Sequence, residues 1–320
     1  MKGIDSKSQF LDSWVTPRFT QPASFMRAPF ATDDIDIALV GCPFDLGSAN
    51  RAGTRHGPAQ IREMSRLIRK VNGATGVAPF SLCRVGDAGD TPISPFDAGQ
   101  SLEDAQSFYA DLHARGIVPI SAGGDHTVPL PVIRAIASTE RPLAVVHFDA
   151  HSDTWDTLHG NRYNNATPFR RLIEEGLIDP KRLVQIGIRG TLFAQDDLDW
   201  PVAQGVRVIT MDEYEDLGRD QVLAEARRIV GDAPVYVTYD VDGLDPVYCP
   251  GTGSPEPGGL SMRDSQVIIR GLRGLDVVGG DVCEVSPPLD PAGHTALNAA
   301  NLMFEILCVA AEAQAARPDR

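Results

Sequence analysis

Short runs of consecutive apolar residues alternate along this chain with longer stretches in which apolar positions recur every three or four residues. Residues 36–41 (DIALVG) form the first run and lead into a loop of Gly, Pro and Asp. Residues 57–69 then bring Ile61, Met64 and Ile68 to one side of a helix. The alternation continues with a helix over 101–115 closed by Gly116, a strand over 117–122, a helix over 129–138 and a strand over 143–148. A helix over 172–176, a strand over 183–188, a helix over 221–230 and a strand over 235–239 follow. A helix over 263–272, a strand over 277–282 and a closing helix over 296–313 complete the pattern. Strands that are apolar on both faces belong in a parallel sheet with helices on either side. The pattern therefore predicts an α/β chain, a three-layer α/β/α arrangement around a central, mainly parallel β-sheet. No linker composition, charge run or repeat divides it, so one domain over 31–320 is expected, preceded by an arm over 1–30.

Composition changes this picture little. With 320 residues, 42% hydrophobic and 22% charged, the chain has the make-up of a globular protein large enough for one substantial core. A formal net charge of -14 disfavours nucleic acid and anionic membrane surfaces as partners. No stretch approaches the roughly 18 uncharged apolar residues of a membrane span. Residues 1–20 contain no apolar core of signal-peptide length. The five cysteines (Cys42, Cys83, Cys249, Cys283 and Cys308) are scattered, odd in number and never in a C-x-x-C pair. That argues against a disulfide framework or a thiolate zinc site and leads to the expectation of a cytoplasmic protein with reduced thiols.

In an open parallel sheet, ligand-binding groups collect in loops after the C-terminal ends of strands. Four polar motifs occupy such places. Gly123-Gly124-Asp125-His126 follows the strand over 117–122, and Asp149-Ala150-His151-Ser152-Asp153 follows that over 143–148. Asp240-Val241-Asp242 follows the strand over 235–239, and Glu284-Val285-Ser286-Pro287-Pro288 follows that over 277–282. Any one of these has an ordinary structural explanation as a turn, a helix cap or a solvated histidine. Together they bring two His and at least four Asp to one sheet edge, where buried carboxylates are unstable without a counter-charge. Two divalent cations remove that cost, and a mixed imidazole and carboxylate set suits Mn, Zn, Fe, Co or Ni better than Ca or Mg.

These four strings, with Asp240-Val241-Asp242-Gly243-Leu244-Asp245-Pro246 continuing to Pro250-Gly251-Thr252-Gly253, resemble the motif set of the ureohydrolase (arginase/agmatinase) family. Asn50-Arg51-Ala52-Gly53-Thr54-Arg55-His56-Gly57-Pro58 is similar to the family's first loop. The spacing agrees over nearly the whole chain, and the agmatinase-like branch of guanidinobutyrase, guanidinopropionase and proclavaminate amidinohydrolase is the nearest in character. The resemblance implies an arginase-like fold and a binuclear hydrolase acting on a linear amidine carbon–nitrogen bond. It implies that His126, Asp149, Asp153 and Asp240 hold one divalent ion and Asp149, His151, Asp240 and Asp242 the other, with manganese expected first and nickel the alternative. It further implies that a metal-bound hydroxide attacks the guanidinium carbon, that Asp153 moves the proton and that Glu284 orients the guanidinium as a two-point partner. A homo-oligomer, trimer or hexamer, is the family's habit, and pairing with a paralogue is the variant of it.

One segment departs from the family. Where its members usually carry His-Gly-Thr, this chain reads Tyr163-Asn164-Asn165-Ala166-Thr167-Pro168-Phe169, so Asn165 stands at the histidine position. Asn carries no proton near neutral pH but can donate and accept hydrogen bonds. Trp155, His159, Asn164 and Asn165 are expected to wall the substrate pocket. Three functions follow. The first is hydrolysis of a linear guanidino acid or agmatine to urea and an amine. The second is hydrolysis of guanidine, a dialkylguanidine or a biguanide, with nickel and a sister subunit. The third is a non-catalytic partner subunit.

Overall fold

The computed structural model describes Trp14 and residues 16–317. Eight strands form its sheet: β1 (Ile37–Gly41), β2 (Val85–Asp90), β3 (Val118–Ala122), β4 (Leu143–Phe148), β5 (Ile178–Ile188), β6 (Arg207–Thr210), β7 (Val235–Asp240) and β8 (Val277–Cys283). Their order across the sheet is β2-β1-β3-β8-β7-β4-β5-β6, and every neighbouring pair is parallel.

Strand periodicity divides the core into two apolar layers. In β1, Ile37 and Leu39 face one layer and Ala38 and Val40 the other. In β4, Ala144, Val146 and Phe148 face the first and Leu143 and Val145 the second. The first layer is covered by the helices Gly57–Ser65, Arg219–Val230, Met262–Gly271 and His294–Ala316. Ala98–Ala114, Pro129–Ile136 and Pro168–Glu174 cover the second. The expected three-layer architecture is thus present, with a sheet that is parallel throughout.

His294–Ala316 is apolar on nearly every side because it is buried on nearly every side. Against the expectation from sequence, it is long and apolar enough to cross a membrane, but 78% of its most apolar window is buried inside the protein, as in a core helix. Its one deeply buried acid, Glu305, is paired with Arg270, whose Nε donates at 2.9 Å, and accepts from Asn72 Nδ2 at 2.7 Å. Phe25 and Met26, within the expected arm, are fully buried in the first layer, where Met26 N donates to Ser65 Oγ at 2.7 Å. Of that arm, residues 1–13 and 15 lie outside the described residues.

Strands β2 and β6 have no counterpart in the sequence pattern, and both are sheet edges. An edge strand need not be apolar on both faces, and VGDAGD and RVIT are not. The four strands that precede the polar motifs, β3, β8, β7 and β4, are consecutive at the centre of the sheet. Because all are parallel, their C-terminal ends open on one rim. The chain builds β3 and β4 first and later fills the gap between them with β7 and β8.

Candidate metal centre

The rim is assembled by close backbone contacts. Glu284 N donates to Gly124 O at 2.8 Å, tying the end of β8 to the end of β3. A Cβ on Gly124 would lie 1.7 Å from Phe44 O, so only glycine lets the loop after β3 cross the loop after β1. Asp153 and Glu284 hold left-handed backbone, with φ of 52° and 67°, a conformation that non-glycine residues adopt at a cost. Both are residues to which the sequence assigns chemistry.

Two carboxylate–imidazole groups meet here. Around His126 Nδ1 stand Asp153 Oδ2 at 2.8 Å, Asp149 Oδ2 at 2.9 Å and Asp240 Oδ2 at 3.4 Å. Around His151 Nδ1 stand Asp242 Oδ2 at 3.1 Å and Asp149 Oδ1 at 3.5 Å. Asp149 belongs to both groups through different oxygens. The remaining oxygens are braced by backbone: Asp242 N donates to Asp240 Oδ1 at 2.8 Å, and Ala150 N donates to Asp242 Oδ1 at 3.1 Å.

A single ring nitrogen cannot satisfy three carboxylate oxygens by donation, and the surrounding hydrogen bonds fix which nitrogen of His126 faces them. Thr238 gives its one hydroxyl proton to Asp281 Oδ1 at 2.7 Å, so it must accept from His126 Nε2–H at 2.9 Å. Once Nδ1 gives up its proton to make way for a cation, the neutral imidazole presents that lone pair on the carboxylate side, which is the tautomer a metal ligand needs. Three carboxylates and one lone pair within this radius suit a divalent cation. The second group, sharing Asp149, suits another.

Electrostatics point the same way. Burial, then Asp242 and Asp149, hold Asp240 well above the usual carboxylate range. Burial and the neighbouring Asp149 push Asp153 up to about 7, and burial and Asp125 push Glu284 up to about 8. Burial alone would also raise Asp149, but the imidazoles of His126 and His147 outweigh it and hold that carboxyl low. For His126 and His151 burial favours the neutral ring, and the carboxylates overcome it and raise both. Carboxylates that push one another up in this way are neutralised by divalent cations.

His147 stands beside the cluster but is not available as a ligand. Its Nε2 donates to Asp149 Oδ2 at 2.7 Å and its Nδ1 accepts from Gln185 Nε2 at 3.0 Å. Burial lowers it to about 4, so it is a neutral brace for Asp149. Sequence reasoning passed over it, although its position two residues before Asp149 in a strand places both on one face.

A cavity of about 630 Å³ opens above the cluster, lined by His151, Asp153, Asp240, Asp242, Asn165 and Glu284 among others. Trp155 forms one wall, edge-on to Phe193 at 4.8 Å between ring centres, and His159 stands exposed at the mouth. Arg189 also lines it, as does Phe193, which the sequence did not single out. Asn164, expected in the pocket, is not in its lining. Its Nδ2 donates to Asn161 O and its Oδ1 accepts from Ala166 N, so it braces its own loop. Asn165 Nδ2 donates to Glu284 Oε1 at 3.1 Å. A larger cavity of about 1010 Å³ lies near the opposite ends of the strands, beside Val118, Leu143 and Val278, away from all four motifs.

Comparison with known proteins agrees with this geometry. The arginase family model matches residues 35–309. Over 310 residues the chain is 53% identical to the guanidinopropionase of Pseudomonas aeruginosa, covering 96% of this chain and 97% of that protein. It is 43% identical over 298 residues to the guanidinobutyrase of the same bacterium, covering 92% and 93%. Among solved structures, the proclavaminate amidino hydrolase from Streptomyces clavuligerus superposes with a TM-score of 0.88 at 42% identity, covering 93% of this chain and all of that one.

Proposed function

Because the chain belongs to the arginase family, and is accordingly a hydrolase of guanidino compounds that yields urea and an amine, we propose that its substrate is a linear guanidino acid such as 3-guanidinopropionate. The observation that carries the guanidino-hydrolase chemistry is the pair of carboxylate–imidazole groups sharing Asp149, placed under a cavity that also holds the buried carboxylate of Glu284. The likeness to a guanidinopropionase and a guanidinobutyrase supports an acid over agmatine.

His126, Asp149, Asp153 and Asp240 would hold one divalent ion, and Asp149, His151, Asp240 and Asp242 the other. Manganese is the first candidate and nickel the alternative. When bound, the two ions supply an activated water at neutral pH and charge stabilisation at the guanidinium carbon. The chain's own groups do the rest. Glu284 draws in the cationic guanidinium and sets its plane. Asp153 takes the proton of the attacking water and returns it to the leaving amine, a task that a carboxylate placed between the cluster and the cavity can perform. Trp155 and Phe193 flank the alkyl chain and keep bulk water from the leaving nitrogen. A homo-oligomer, trimer or hexamer, completes the proposal.

The protein, purified and supplied separately with manganese and nickel, should release urea from 3-guanidinopropionate and 4-guanidinobutyrate in preference to agmatine. Release of ammonia or an amine, with urea or a substituted urea, confined to guanidine, a dialkylguanidine or a biguanide would move the assignment to that second class, to which Asn165 lends its weight.

A further inference from the structure

Glu284 does not meet the cavity with both oxygens. Its Oε1 accepts from His126 N at 2.9 Å and from Asn165 Nδ2 at 3.1 Å. Two donors fill the in-plane positions of that oxygen, leaving Oε2, on the Gly253 side, where a Cβ built on Gly253 would lie 3.8 Å from it. The expected two-point pairing of one carboxylate with a guanidinium is therefore half taken by the protein itself.

Asn165 supplies what is missing. Its backbone N–H is held by Gly47 O at 3.1 Å, and its side chain is half-buried in the cavity wall. With Glu284 ionised, the state that pairs with a guanidinium, the amide cannot turn over, because that would set its oxygen against Glu284 Oε1. Its Oδ1 is accordingly aimed away from Glu284, buried and without a hydrogen-bond partner. Buried polar atoms in folded proteins nearly always have a partner, and an exception at a pocket wall calls for one from the ligand.

We propose that Asn165 Oδ1 and Glu284 Oε2 together read the guanidinium, each accepting an N–H from one of the two nitrogens that leave as urea. The site then selects guanidines over amidines, which carry carbon in place of one of those nitrogens. This rests on the guanidino-hydrolase assignment above and narrows its substrate class to guanidines with N–H on both retained nitrogens. Asn165 is a specificity-determining residue here as well as a brace for Glu284.

The test compares 4-guanidinobutyrate with its acetamidine counterpart, in which a methyl replaces one retained nitrogen, on the manganese-loaded wild type and on Asn165→Leu. Dissociation constants are measured by calorimetry, with KM and Ki alongside where turnover occurs. Wild type should prefer the guanidine by about tenfold or more, and Asn165→Leu should reduce that preference at least about fivefold, as loss of one hydrogen bond to a charged group predicts. Losing only the brace on Glu284 weakens both ligands alike and leaves the ratio unchanged, so an unchanged ratio overturns the proposal. Asn165→Ala provides the same reading should the leucine variant fold poorly. If wild type releases no urea from any guanidino acid, the functional assignment fails, while the two dissociation constants still decide the role of Asn165.

Discussion

The shared use of Asp149 is the chemical centre of this site, and it makes single-residue predictions sharp. Asp149→Asn should remove most activity and lower metal content, because one amide oxygen cannot serve both the His126 and the His151 groups. Inductively coupled plasma analysis alongside urea release checks this. Full activity below one metal per chain would contradict it. His147→Ala should weaken metal binding about 10- to 100-fold, the usual loss when a group that orients a ligand is removed. A chelator titration reads that shift, and an unaltered affinity would mean that Asp149 is held well enough by its other partners. At this scale the sequence was informative at strand ends: of the proposed ligands, Asp240 closes β7, and His126, Asp149, His151, Asp153 and Asp242 lie in the segments that follow β3, β4 and β7. It was silent where a functional group sits inside a strand. His147, Thr238 and Asp281 are fully buried and look like core positions until their hydrogen bonds are seen. Asn164 failed for another reason: neighbours in one loop need not point the same way.

At the scale of elements, the centre of the sheet was legible and its margins were not. Strands β3, β4, β7 and β8 are short apolar runs because helices cover both their faces. β2 and β6, at the edges, carry Gly, Asp and Arg where that demand is relaxed. Helix ends moved for local reasons. Pro168, at the first turn, starts its helix ahead of the apolar pattern that begins at Leu172. The helix His294–Ala316 offers a stability test away from the chemistry. Glu305→Ala would leave the partly buried Arg270 guanidinium and the Asn72 amide without their carboxylate. Breaking one side of such a buried pair costs about 3–5 kcal/mol. A urea-denaturation series should show that loss in the midpoint at unchanged slope, whereas a change below about 0.5 kcal/mol would mean that water reaches Arg270.

For the whole molecule, parallel topology and catalysis are one fact. Strands that are distant in sequence, β3 and β4 early and β7 and β8 late, converge so that four loops present their acids at one rim. The fold must assemble that concentration of negative charge, and bound cations should stabilise it by mass action. Removing metal with a chelator should therefore lower the melting temperature by several degrees, and returning manganese or nickel should restore it. Sedimentation should find a trimer or hexamer, and monomer alone at micromolar concentration would refute the assembly. The most direct measurement joins metal content to product on one sample: metals per chain, and urea and β-alanine released from 3-guanidinopropionate. Two divalent ions per chain with urea and β-alanine in equal amounts is the expected result. A fully loaded protein that yields no urea from this or any other guanidino compound would contradict the account.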